Sequence, residues 1–136
     1  MDNLTLRVQS IIDQVRRQGD KALCAFARQF DGMTLKPTDL RVSTSDLRQA
    51  VKQVSPAFAR SIRECARNIE AFANAEKRRM AKSWMVAQGS VRLGQLMRPV
   101  DSVGLYIPGG RFPYPSTVLM TAIPARVAGV KRLVMA

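Results

Sequence analysis

The sequence predicts an α/β protein: amino-terminal helices and a β-hairpin leading into an incomplete parallel β-α-β domain of the nucleotide-binding type. Three observations carry that expectation. Apolar residues recur at the period of amphipathic helices, in several runs, from Leu4 to Ala73. Between Trp84 and Val100 the pattern becomes that of two strands, punctuated by Gly89-Ser90 and Gly94. Beyond Pro99 the order is strand, glycine loop, helix and strand, which normally makes a right-handed crossover between parallel strands. The boundaries are a helical region over 1–82, a β-ribbon over 83–100 and the start of a truncated β-α-β domain over 101–136.

Leu4, Val8, Ile11, Ile12 and Val15 line one side of the first helix, and Gly19-Asp20 breaks it. Asp20 is expected to cap a second helix through about Phe30, with Leu23, Phe26, Ala27 and Phe30 inward and Asp31-Gly32 as a turn. Helices this short are marginal in isolation, so their apolar sides must pack on something. Leu40-Arg41-Val42 is expected to be extended. One of Ser43, Thr44 and Ser45 then begins a helix carrying Leu47, Ala50, Val51 and Val54. Pro56 suits the first position of the longest helix, where Phe58, Ile62, Cys65, Ala66, Ile69, Phe72 and Ala73 form a stripe that reads as core.

Trp84, Val86, Val91, Leu93, Leu96 and Met97 supply the apolar positions of the ribbon, and Arg98-Pro99 closes it. Proline has no amide for a central strand, so the ribbon belongs at an edge or as an arm between the helices and the sheet.

Ser102 to Tyr106 is a short β-leaning run, and Ile107-Pro108-Gly109-Gly110 ends it. Proline fixes φ, while two glycines permit positive φ and leave the backbone bare. Ser116 is read as the N-cap of a helix carrying Val118, Leu119, Ala122, Ile123 and Val127; Gly129 ends it, and Val130 to Met135 reads as a buried strand. Pro124 inside the helix costs about 3 kcal/mol and frees the carbonyl of Met120, so a kink there or two helical pieces is expected. Ligands of open α/β sheets sit at the carboxyl ends of strands, which is where this loop opens. It is no dinucleotide fingerprint, because Leu105 to Pro108 separates Gly104 from Gly109. Nor is it a P-loop, because Gly110-Arg111 stands where Lys-Ser or Lys-Thr is required. Spacing therefore gives a location without a chemistry, and the glycines serve either a ligand's close approach or only a tight turn.

Lysine and arginine number 22 against 10 acidic residues, a net charge of +12 that attracts nucleic acid or acidic surfaces. The densest run, Lys77 to Lys82, falls at a helix end, where cations complement the macrodipole, and no aromatic interleaves it to stack bases. It reads first as a solvated face. There is no histidine, and Cys24 and Cys65 lack any C-x-x-C partner, so a closed zinc site is excluded. Both cysteines are expected to be buried, unreactive thiols in a reducing compartment. No basic and apolar leader follows Met1, and no segment approaches the ~20 apolar residues of a membrane span. The expected location is the cytoplasm. At 136 residues the chain suffices for one core rather than two nucleotide-fold domains.

Particular runs add what spacing lacks. Arg98-Pro99-Val100, Val103 to Gly110 (VGLYIPGG), Tyr114 to Met120 (YPSTVLM), Ala122-Ile123-Pro124-Ala125 and Val127 to Val130 closely resemble the histidinol dehydrogenase family. Gly19 to Leu23, Phe30-Asp31 and Asn68 to Phe72 are similar to its leading helices in weaker form. The resemblance implies an aldehyde dehydrogenase-like nucleotide domain and a zinc-dependent enzyme that oxidises L-histidinol to L-histidine with two NAD+, working as a homodimer of longer chains. It also implies that the zinc ligands (Gln, His, Asp and His), the Glu-His acid/base pair and most substrate contacts lie beyond Ala136. The chain thus reads as an amino-terminal fragment, inactive by itself, with no catalytic and no metal-ligating residue of its own.

For the cofactor, the family's tyrosine maps onto Tyr106, which offers NAD a ring face and a hydroxyl. Gly109 and Gly110 are expected to bring bare backbone to the same cofactor, ahead of a helix N-terminus that favours anions. Arg111 and Tyr114 stand in the same loop, either as ligand neighbours or simply exposed; no family role carries over to Arg111 or Phe112. Two rival readings exist. One is a non-catalytic remnant or assembly module that keeps the family's packing surface. The other is a small basic nucleic-acid binder, whose affinity must fall steeply with salt. An apolar strand at 130–135 left at an edge is expected to drive self-association or pairing with the missing portion.

Overall fold

The structure, a computed structural model, describes residues 3–110 and 112–136. The chain divides into two compact units, Met1–Gln53 and Val54–Ala136.

In the first unit α1 (Asn3–Gln18) and α2 (Asp20–Asp31) pack on each other. Ala22 is buried at their seam, Ile11, Val15, Phe26 and Ala27 are half-buried, and Phe26 stacks on Phe30 with ring centroids 5.7 Å apart. Leu4, Val8, Ile12, Leu23 and Phe30, expected inward, are exposed. A single seam between two helices covers only the middle of each apolar stripe. Asp20 is not the cap either. Gly19 occupies that place with φ 55, so Asp20 becomes the first helical residue and contributes charge near the dipole's positive end, with no side-chain cap bond. The expected extended piece at Leu40 is also corrected. Pro37–Asp39 forms a 3-10 turn in which the Asp39 carboxylate accepts from the Lys36 amide at 3.0 Å, and Leu40 keeps right-handed helical dihedrals. Ser43 is the residue that begins α3 (Thr44–Gln53): its Oγ accepts from the Asp46 amide at 3.1 Å while Asp46 accepts from the Ser43 amide at 3.2 Å.

The second unit opens with α4 (Pro56–Arg79), with Pro56 in its first position and Ser55 as N-cap, accepting from the Phe58 amide at 3.2 Å. Replacing Ser55 by Ala is expected to cost about 1 kcal/mol, and by Gly only a few tenths, as read from denaturant midpoints at constant slope. The seam of α4 is narrower than its stripe. Ile62, Ala66 and Ile69 are half-buried and Ala73 is buried, whereas Phe58, Cys65 and Phe72 on the flank are exposed. Cys65 is therefore not the buried thiol expected of it, and Cys24 is half-buried.

Next come β1 (Trp84–Gln88) and β2 (Val91–Gln95), an antiparallel hairpin in which Trp84 faces Gln95 and Gln88 faces Val91 across Gly89-Ser90. The Ser83 hydroxyl closes its open end by accepting from the Met97 amide at 2.8 Å.

Finally β3 (Ser102–Leu105), α5 (Pro115–Ala128) and β4 (Arg132–Met135) form a β-α-β unit with β3 and β4 parallel, Ser102 opposite Arg132 and Leu105 opposite Met135. α5 packs on α4 and on β3. The mixed α/β class with a parallel pair is the one expected. Three local expectations are corrected. The N-cap of α5 is Tyr114, without a side-chain bond, and Pro115 takes the first helical position, so Ser116 lies inside the helix. The segment runs through Pro124 as one helix rather than two pieces. β4 is not buried: Leu133 is half-buried and the rest of the strand is exposed, because a two-stranded sheet offers it one neighbour. Among the described residues, no helix is long and apolar enough to cross a membrane.

Candidate functional site

The loop after β3 is positioned by backbone pairing that outlasts the strand. The Ala136 amide donates to the Leu105 carbonyl at 2.9 Å, and the Ile107 amide donates to the Ala136 carbonyl at 2.7 Å. Tyr106 is thus held between two tied residues. Strand alternation then sorts the side chains: Val103, Leu105 and Ile107 are half-buried on one side, and Ser102, Gly104 and Tyr106 are exposed on the other. Since α5 packs on β3, the half-buried set marks the helix side, and Tyr106 stands on the opposite face with 79% of its surface free. Its ring and hydroxyl are available to a ligand.

Gly109 and Gly110 follow directly. Neither has a positive φ; among the glycines that state belongs to Gly19, Gly32, Gly89 and Gly129. Their backbone does not need glycine. What glycine provides is space: a Cβ on Gly110 would have no heavy atom within 4 Å, and one on Gly109 would only touch the Ile107 carbonyl oxygen at 4.0 Å. The loop is bare main chain facing open volume. Of the other loop residues, Phe112 and Tyr114 are exposed, and Arg111 lies outside the described residues.

The helix after the loop adds an electrostatic preference. α5 has no acidic residue in its first turn and no side-chain cap; Pro115 has no amide and the Thr117 amide donates to the Tyr114 carbonyl at 3.1 Å, which leaves the Ser116 amide and the positive end of the dipole. Tyr106, the Gly109-Gly110 main chain and the start of α5 follow one another in this order along the chain, with Tyr106 on the sheet face opposite α5.

Metal chemistry has no such basis here. Among the described residues no group of three His, Cys, Asp or Glu side chains converges, and the sequence has no histidine. Sequence reasoning missed one tie to this end of the molecule. Lys77 Nζ, in the last turn of α4, donates to the Val127 carbonyl of α5 at 2.5 Å. In the sequence Lys77 reads only as part of a basic run, and no local signal links it to a carbonyl 50 residues away.

The histidinol dehydrogenase family profile matches residues 1–136. Histidinol dehydrogenase of Listeria monocytogenes is 46% identical over 128 residues, covering 94% of this chain and 29% of that protein. The enzyme of the same name from Methanothermobacter thermautotrophicus is 46% identical over 135 residues, covering 98% and 30%. Among solved structures, histidinol dehydrogenase from Elizabethkingia anophelis superposes with a TM-score of 0.84 at 32% identity, over 99% of this chain and 30% of that one. The chain therefore spans about three-tenths of the length of the curated relatives it matches.

Proposed function

Because the chain belongs to the histidinol dehydrogenase family, we propose that it forms the amino-terminal part of an enzyme that oxidises L-histidinol to L-histidine with NAD+, and that the loop after β3 is its cofactor-facing element. The observation that carries this reading is the conjunction of an exposed Tyr106 with a glycine pair whose glycines answer to open space rather than to backbone strain. Tyr106 would lay its ring or hydroxyl against NAD, Gly109 and Gly110 would let the cofactor approach the main chain, and the Ser116 amide at the start of α5 would face its pyrophosphate.

Zinc, which polarises the alcohol in this family, finds no fitting group of residues among the described ones, and the sequence has no histidine, so no step is routed through it. The loop also supplies no carboxylate or imidazole to act as the positioned base that alcohol oxidation needs. The 136 residues are proposed to bind without turning over, within a cytoplasmic homodimer that acts on a small alcohol and not on nucleic acid.

Calorimetry of the 136-residue chain with NAD+ tests the site. Tyr106→Ala is expected to weaken binding by about tenfold through loss of ring contact. Gly110→Val is the sharper variant, because its backbone and surroundings accept a side chain and only a ligand in the open volume would meet it. Unchanged affinity in Gly110→Val would remove the loop from the cofactor site. With zinc, NAD+ and histidinol supplied together, no NADH should form.

A further inference from the structure

Lys77 lies in the last turn of α4, where the unanswered carbonyls of its own helix ordinarily attract such a side chain. It crosses instead to α5 and donates to the carbonyl of Val127. The end of α5 is otherwise closed by main chain: the Gly129 amide goes to Arg126 and the Val130 amide to Ala125, so Lys77 satisfies the next carbonyl along, that of Val127. Among the described residues this is the one side-chain hydrogen bond that joins two helices. The others stay within four residues, apart from the Ser83–Met97 closure of the ribbon.

The rest of the α4–α5 contact is mainly apolar. Ile69, Phe72 and Ala73 of α4 and Met120 and Pro124 of α5 line an open groove of about 380 Å³ between the helices. Apolar contact is non-directional. A charged donor on one carbonyl is directional, and its positive charge also suits the negative end of the α5 dipole.

We propose that Lys77 is a positioning residue for the ligand-facing end of the β3–α5 unit. It fixes the carboxyl end of α5 against α4, and the helix, a rod of 14 residues, transmits that register to Pro115 and the loop before it. The functional part of this inference rests on the reading of the loop as an NAD site; the mechanical part does not.

The test compares the wild-type chain with Lys77→Met and Lys77→Arg by amide hydrogen exchange without ligand and by NAD+ calorimetry. Lys77→Met is expected to raise exchange about tenfold at residues 115–119 as well as at 126–131. It should weaken NAD+ about tenfold through misplacement of the loop. Lys77→Arg, which restores a donor and a charge, should recover both. Faster exchange confined to 126–131 would reduce Lys77 to a local cap and overturn the proposal, as would failure of Lys77→Arg to recover exchange at 115–119. If the wild type does not bind NAD+ while exchange changes at both ends, the cofactor reading fails and the coupling stands. Should Lys77→Met unfold the chain, Lys77→Gln, a shorter neutral donor, replaces it in the same comparison.

Discussion

Gly94→Val is expected to dismantle the β1–β2 ribbon while leaving α4, α5 and the parallel pair in place. Gly94 sits opposite Met85, and a Cβ there would fall under 3.0 Å from the Trp84 carbonyl oxygen and from two atoms of Met85. Two of those three atoms are main chain, so no rotamer change relieves the clash and the strands must separate at that pair. Overpacking of this kind costs about 1–3 kcal/mol or more. The ribbon cannot absorb it, because its strands make their extensive contacts with each other, all ten of their residues are exposed, and an isolated two-stranded hairpin is marginal in water. Trp84, the only tryptophan, lies in the disrupted strand and reports the change. Its emission should shift to the red, and amide protection over 84–95 should vanish while that of α4 persists. Gly104→Ala is the control, since that glycine has an ordinary φ and no heavy atom within 4 Å of an added Cβ, and it should change neither signal. Retained protection over 84–95 in Gly94→Val would show that the pairing bends around the added side chain.

The contrast between Gly94 and Gly104 shows where sequence reading reaches its limit. Each is a glycine in a strand, and nothing local says that one is pressed against a neighbour's carbonyl and the other faces open volume. The hairpin itself was legible, because Gly89-Ser90 falls between two five-residue strands at hairpin spacing. The β-α-β order was legible from the period change and from Gly129. The caps at Asp20 and Ser116 were misplaced for a common reason. An adjacent residue with a stronger backbone preference set the boundary earlier: Gly19 took the cap one residue before Asp20, and Pro115, as first helical residue, moved it two residues before Ser116. Burial was overstated along the stripes of α1, α2 and α4, because periodicity says which face is apolar and not how wide a seam the neighbouring element covers. The loop's place at the end of β3 followed from element order alone. That Tyr106 faces away from α5 followed only once the alternation of exposed and half-buried residues was known.

Gly129→Val tests the other end of that loop's supporting helix, and it should destabilise the second unit by about 2–4 kcal/mol. Two independent costs meet at this residue. Gly129 has φ 109 and ψ 15, which lets its amide reach the Arg126 carbonyl at 3.0 Å and the Val130 amide reach the Ala125 carbonyl at 3.1 Å. This is the Schellman closure of α5. A residue with a Cβ is strained in that conformation whatever surrounds it, and β-branching narrows its options further. The second cost is steric, since an added Cβ would lie 3.3 Å from Pro99 Cγ. A ring cannot swing aside as a flexible side chain does, so the strain is passed to the chain just before β3. A mutant cycle separates the costs. Gly129→Ala in a Pro99→Ala background should recover only the steric part, and Gly129→Asn, which tolerates left-handed backbone better, should lose less from the conformational part. The signature beyond global stability is local. Because β4 begins at Arg132, three residues on, loosening this turn should first expose the Arg132 amide, which donates to the Asp101 carbonyl at 3.3 Å and starts the parallel pairing. Exchange at Arg132 rising ahead of exchange at the tied Ile107 would place the failure at the α5–β4 turn. The reverse order would mean that the parallel pair is held from its Ala136 end and that Gly129 sets only the end of the helix.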